Sequence, residues 1–210
     1  MIGPKPFRTG PEGDYRGWMD DLVRIFSPRV RSVLAAEFRR KLSAVGGGDD
    51  VYAAAVLHTG GLAWRTAVNA PDIPSEKAAL RTDVPRESAE ARRLRWSPGE
   101  WSSPGARNSP RTADLLGDLE AWISDSTHVE ATSWTEVRHI LVDLIVESLD
   151  SSEVRTVFAE AGAAPVLLVC EADEADRGTG PVIAALERLN ADHPYRVDVE
   201  DALGYWRGEG

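Results

Sequence analysis

The sequence predicts an α+β fold: a single domain with a small, mainly antiparallel β-sheet flanked by α-helices. Three observations lead there. Apolar residues recur at helical spacing in several long segments, two β-compatible runs are joined by a Gly-Gly turn, and the apolar run Val166-Leu167-Leu168-Val169-Cys170 is too short for a helix of its own. With 210 residues, of which 42% are hydrophobic and 28% charged, the chain has ordinary globular composition and enough length for one well-buried core. Residues 1–13, rich in Gly and Pro, are expected to form a flexible N-terminal arm, and residues 14–210 one domain.

From Asp14, the residues Trp18, Met19, Leu22, Val23 and Phe26 form a helical stripe, and Ser27-Pro28 supplies an N-cap and first-turn proline for a second helix. That second helix carries Val30, Val33, Leu34, Phe38 and Leu42 inward and stops at Gly46-Gly47-Gly48. Val51 to His58 and Leu62 to Val68, joined by Thr59-Gly60-Gly61, read as a hairpin. The polar stretch from Asn69 to Arg93 is expected to hold one or two short helices, and Leu94 to Ser97 a third strand before an open loop from Pro98 to Asn108. Ser109-Pro110 then starts a helix with Ala113, Leu116, Leu119, Trp122 and Ile123 on its buried face. The capping box Ser133-Trp134-Thr135-Glu136 opens another, burying Val137, Ile140, Leu141, Leu144 and Ile145, with a further turn or helix through Val154, Val157 and Phe158. A buried strand over Val166 to Cys170, an acidic loop and a helix from Pro181 to Asn190 complete the order.

The formal net charge of −10 argues against a general affinity for nucleic acid, which draws on clustered Lys and Arg, and favours a basic protein partner. The single cysteine, Cys170, excludes an internal disulfide and sits in an apolar run, where it reads as a small buried hydrophobe. No segment has the length of a signal peptide core or a membrane span, so a cytoplasmic location is expected, with no membrane partner.

No strong catalytic signature is present. His128-Val129-Glu130 matches half of a zinc deaminase motif whose Cys-x-x-Cys half needs more than one cysteine. His139 and Asp143 are four apart on a helix and read first as an exposed i,i+4 contact, while His58 and His193 have no motif around them. No catalytic residue, metal ligand or cofactor is therefore expected. Two stretches remain as candidate binding positions. One is the acidic run containing Glu171, Asp173, Glu174 and Asp176, which follows a strand and reads either as a solvated loop or as an electrostatic patch for a cationic partner, with Asp198, Glu200 and Asp201 adding to it. The other is Arg95-Trp96-Ser97-Pro98-Gly99-Glu100-Trp101, which sets two of the seven tryptophans around a turn. Buried indoles need hydrogen-bond partners, so Trp96 and Trp101 are placed by packing or by recognition; a structural clasp is the first reading, with Glu100 tied to backbone or to Arg95.

With this box, with Val51-Tyr52-Ala53-Ala54-Ala55-Val56-Leu57 and with the closing strand and helix from Pro165 to Asn190, the chain resembles a bacterial family known as domain of unknown function four-three-zero-three. The family's Asn-Thr-Glu-Glu-like segment is here Asn69-Ala70-Pro71-Asp72. The resemblance implies no established activity, and the architecture is similar to that of small acidic bacterial proteins that neutralise toxins. The leading expectation is thus a non-enzymatic binding protein, such as an immunity protein whose acidic surface covers a basic toxin. The alternatives are a hydrolase or other enzyme centred on the Trp96–Trp101 box, using Glu100, and a scaffold role.

Overall fold

A computed structural model of the chain describes residues 14–46, 50–59, 63–70, 88–101, 107–125 and 134–209. The expected N-terminal arm, Gly47-Gly48, Gly60-Gly61, the short helices expected between 71 and 87, His128-Val129-Glu130 and the Ser133 cap lie outside the described residues. In chain order the elements are α1 (Asp14–Ala44), β1 (Ala53–His58), β2 (Trp64–Asn69), α2 (Ala89–Trp96), a 3₁₀ turn (Pro98–Glu100), α3 (Pro110–Asp125), α4 (Trp134–Leu149), α5 (Ser152–Glu160), β3 (Val166–Glu171), α6 (Gly180–Leu189) and α7 (Arg196–Arg207). The α+β class and the single domain hold.

The two helices expected at the start are one 31-residue helix with Pro28 inside it. Proline removes one backbone donor and costs a helix interior about 3 kcal/mol. Against that stands an unbroken stripe of Trp18, Leu22, Phe26, Val30, Leu34, Phe38 and Leu42, all buried at four-residue spacing, each large side chain contributing about 1.5–3 kcal/mol. Burial of the stripe outweighs the local signal. Leu94 to Ser97, expected as a strand, forms the end of α2, with Ser97 as its C-cap: the Ser88 hydroxyl accepts from the Ala91 N–H at 3.2 Å, and the Ser97 N–H donates to the Arg93 carbonyl at 2.8 Å. In α3 the buried face is Thr112, Leu115, Leu119 and Ile123, so Ala113 faces solvent. Trp122 is half covered and stacks on Trp18 with ring centroids 5.2 Å apart. The sequence reading contained no element corresponding to α7.

The sheet is mixed, in the order β2-β1-β3. β1 and β2 form the expected hairpin, antiparallel from Ala53 opposite Asn69 to His58 opposite Trp64. β1 and β3 are parallel, from Ala53 beside Val166 to His58 beside Glu171. Every residue of β1 and β3 is buried, because helices cover both faces of the sheet. Ala54, Val56, Val68, Leu167 and Val169 point into a core shared with α1, α3, α4 and α5. Ala53, Ala55, Leu57, Leu168 and Cys170 point into a second core built from Trp96, Trp101, α6 and α7. Cys170 is buried, and burial pushes its thiol well above the ordinary value, as suits a packing role.

A buried carboxylate ties α1 to α3. Glu37, 1% exposed, accepts from the Ser109 N–H at 2.9 Å and the Thr112 hydroxyl at 2.7 Å, and pairs with Arg40 at 2.6 Å. Burial alone would raise its pKa, but the hydrogen bonds from Ser109, Arg40 and Thr112 together outweigh that and hold it near 2, below the usual 4.5. A depressed carboxylate pKa stabilises the fold above the unfolded value and loses that contribution as pH falls toward the folded one. Glu37→Gln should therefore cost roughly 1–3 kcal/mol in urea melts at pH 7, and the gap to the parent protein should narrow between about pH 4.5 and pH 2.

Candidate functional site

The tryptophan box is a clasp in geometry. Trp96 has no exposed surface, and its indole N–H donates to Asp201 at 2.7 Å. Trp101 is 3% exposed and its indole N–H donates to the Arg95 carbonyl at 3.1 Å. Asp201 also accepts from the Arg92 Nε at 3.1 Å, so one carboxylate on α7 gathers the indole and the guanidinium presented by α2. Glu100 is exposed and pairs with Arg93, whereas the expected partner Arg95 lies over the Tyr52 ring and 3.9 Å from Asp201. The glycine of the box has a steric reason: a Cβ at Gly99 would stand 2.8 Å from the Ala172 carbonyl oxygen. The box therefore seats directly on the residue that follows Glu171.

That contact joins the two candidate stretches at one place, the carboxyl end of β3. The acidic run is not an open charged surface. Glu171 is buried and paired with Arg138 of α4, Glu174 accepts from the Tyr205 hydroxyl at 2.7 Å, and Asp173 is exposed and caps the Ala175 N–H at 3.2 Å. Asp176 folds back, accepting from the Glu171 N–H at 2.9 Å, with only 14% of its side chain exposed.

Because β1 and β3 run parallel, His58 ends its strand beside Glu171, and its Nε2 lies 3.9 Å from the Asp176 carboxylate. These residues line a groove of about 610 Å³ between α4 and the start of α6. Arg138, His139 and Asp143 form its α4 side, with Val142, Val169, Pro181, Val182 and Ala185 as apolar lining. Clefts at the carboxyl ends of parallel strands are common ligand sites in open α/β sheets, and β1 and β3 form one such parallel pair here. Two buried atoms at this place have no hydrogen-bond partner, His58 Nδ1 and Asp176 Oδ1. Desolvation shapes both titrations. It pushes His58 down to about 4, helped by Arg138, and raises Asp176 to about 6, where Asp173 and Glu174 add to the rise and Arg138 opposes it. Near neutral pH the imidazole is uncharged and the carboxylate ionised.

The sequence offers no motif around His58 or Arg138 that marks them as site residues, and Asp201, expected to add to the acidic patch, instead receives the Trp96 indole and the Arg92 guanidinium. The His139–Asp143 pair, expected as a plain surface contact, stands on the groove wall. Among the described residues no group of three or more His, Cys, Asp or Glu side chains is arranged to hold a metal ion, and no helix is long and apolar enough to cross a membrane. No family model, no curated protein and no solved structure matches the chain.

Two measurements check this geometry. Trp96→Ala should lower stability by roughly 3–5 kcal/mol, the range for deleting a fully buried large aromatic, and a loss under about 1 kcal/mol would contradict the clasp. For Asp176, a pKa raised from 3.8 to about 6 means the ionised form is the disfavoured one in the fold, with its stabilising protonation fully present below 3.8 and lost as pH rises through about 6. His58, lowered from 6.5 to about 4, works in the opposite direction over the same window, so the comparison must be between variant and parent at each pH. Asp176→Asn should raise stability by roughly 1–3 kcal/mol at pH 8, and the gain should fade toward pH 4.

Proposed function

We propose that the protein is a non-enzymatic binding protein that docks a basic protein partner over the groove at the carboxyl ends of β1 and β3. The observation that carries the reading is the charge of that groove: Asp143, Glu171 and Asp176 stand against a single guanidinium, Arg138, with His58 uncharged near neutral pH. The net charge of −10 adds long-range attraction for the same kind of partner. A basic toxin held by its acidic immunity protein is one pair of this chemistry. An enzyme centred on the Trp96–Trp101 box draws less from the geometry, since both indoles are buried with hydrogen-bond acceptors of their own and Glu100 points to Arg93.

The test is calorimetric titration with a short, folded basic domain at low and moderate salt, using the parent protein, Asp143→Asn in the groove and Glu153→Gln on the exposed face of α5. Binding should weaken several-fold with Asp143→Asn, be unchanged by Glu153→Gln, and fall as salt screens the charges. Equal losses in the two variants would show diffuse attraction by net charge and would sink the docking face.

A further inference from the structure

In the groove, the unfilled hydrogen-bonding capacity is of one kind. Asp176 Oδ1 is a carboxylate oxygen and has no donor. The His58 side chain, 7% exposed, also lines the groove and has Nδ1 without a partner. With Nε2 3.9 Å from the Asp176 carboxylate, the neutral tautomer protonated on Nε2 faces its proton to that carboxylate and leaves a lone pair on Nδ1. In that tautomer both vacant positions are acceptors. Buried polar groups in folded proteins are nearly always satisfied, and each exception calls for a partner of the missing kind.

What would fill them must be rich in donors, carry positive charge to answer the carboxylates, and present an apolar length to Val142, Val169, Pro181 and Val182. A long cationic side chain has this form, with a hydrocarbon stem and a charged head. Between the two cationic side chains, arginine fits better. Its guanidinium offers five donors in a planar fork that can reach two separate acceptors at once, and it is more weakly hydrated than an ammonium, so entering a half-buried groove costs it less. Arg138 already places one guanidinium on Glu171 in the same groove, which leaves the carboxylates of Asp143 and Asp176 unmatched by it, and of the two Asp176 is the one with a buried, unpartnered oxygen.

We propose that the groove is a recognition pocket for an arginine side chain, its guanidinium bound by Asp176 and His58 and its stem laid on the apolar wall. This rests on the docking reading above and names the group that the docked partner inserts. The groups facing Asp176 are His58 from β1, Glu171 from β3, Arg138 from α4, and Asp173 and Glu174 from its own loop. Burial is the chief cause of the rise of Asp176 to about 6, with Asp173 and Glu174 adding to it and Arg138 opposing it. Arginine binding should accordingly weaken about tenfold between pH 7 and pH 5, as the carboxylate goes from mostly ionised to mostly protonated.

The experiment uses N-acetyl-L-argininamide, N-acetyl-L-lysinamide and inorganic phosphate as probes, read by the ring resonances of His58 in the full chain and by calorimetry. Argininamide should shift the His58 signals saturably, lysinamide at least fivefold more weakly, and phosphate not at all. Asp176→Asn, which keeps the acceptor for the Glu171 N–H, should weaken argininamide binding at least tenfold and abolish its pH dependence. His58→Phe, which keeps a buried ring and removes the acceptor, should weaken it several-fold and serves as the second variant should the first fold poorly. Equal binding of lysinamide, a response to phosphate in place of argininamide, or full binding by Asp176→Asn would each overturn the pocket. The two readings fail separately: a basic domain that binds the groove in an Asp143-dependent manner yet ignores Asp176→Asn keeps the docking face and removes the arginine pocket. Saturable argininamide binding without capture of any basic domain does the reverse.

Discussion

Burial of β1 on both faces is the constraint from which the rest of the molecule follows. Its residues, Ala53 to His58, are all buried, and Ala53 to Leu57 alternate between two separate cores. A strand of this kind cannot lie at the surface of a two-layer fold, so helices must cover both sides, and small residues at Ala53, Ala54 and Ala55 let those layers approach closely. The hydrophobic effect that buries the strand also carries its last residue inward. His58 is a polar side chain delivered into the interior by the apolar run that precedes it, and its depressed basicity is a consequence of that delivery.

The same logic separates what could be read from the chain and what could not. The stripe from Trp18 to Leu42 and the alternating runs around the hairpin are periodic signals within short windows, so α1 and the β1–β2 pair were legible, as were β3 and the helix after it. Pro28 misled because local propensity was weighed without the burial of the stripe on either side. Leu94 to Ser97 alternates apolar and polar residues over only four positions, too few to tell a strand from a helix, and its state is decided by the Ser88 cap and by the burial of Trp96. The site was legible only in half. Asp176 stood out as part of an acidic run, and the box declared itself through two tryptophans. Nothing in a linear reading says that β3 runs parallel to β1, and that pairing alone sets His58 beside Glu171 and within reach of Asp176.

Two kinds of carboxylate coexist here, and they differ in what meets their oxygens. Glu37 is only 1% exposed, yet its oxygens meet an amide, a hydroxyl and a guanidinium, and the fold gains from its charge. Asp201 likewise has an indole and a guanidinium to receive. Asp176 has one backbone donor and one oxygen left over, so the fold carries its charge at a net disadvantage. Groups that cost stability and lie in a groove are where binding is expected to recover the difference.

Both ends of the loop that bears Asp176 are anchored by the same distant part of the chain. At its start, Ala172 lies under Gly99, whose box is pinned through Trp96 to Asp201 of α7. At its far end, the Gly178 N–H donates to the Trp206 carbonyl at 2.8 Å, and between them Tyr205 holds Glu174. The terminal helix is therefore part of the groove's scaffolding although it contributes no lining residue. Mechanically, α7, the box and the loop form one unit: a change of the carboxylate at Asp201 or of the glycine at Gly99 bears on the loop that carries Asp176 without touching a residue that lines the groove.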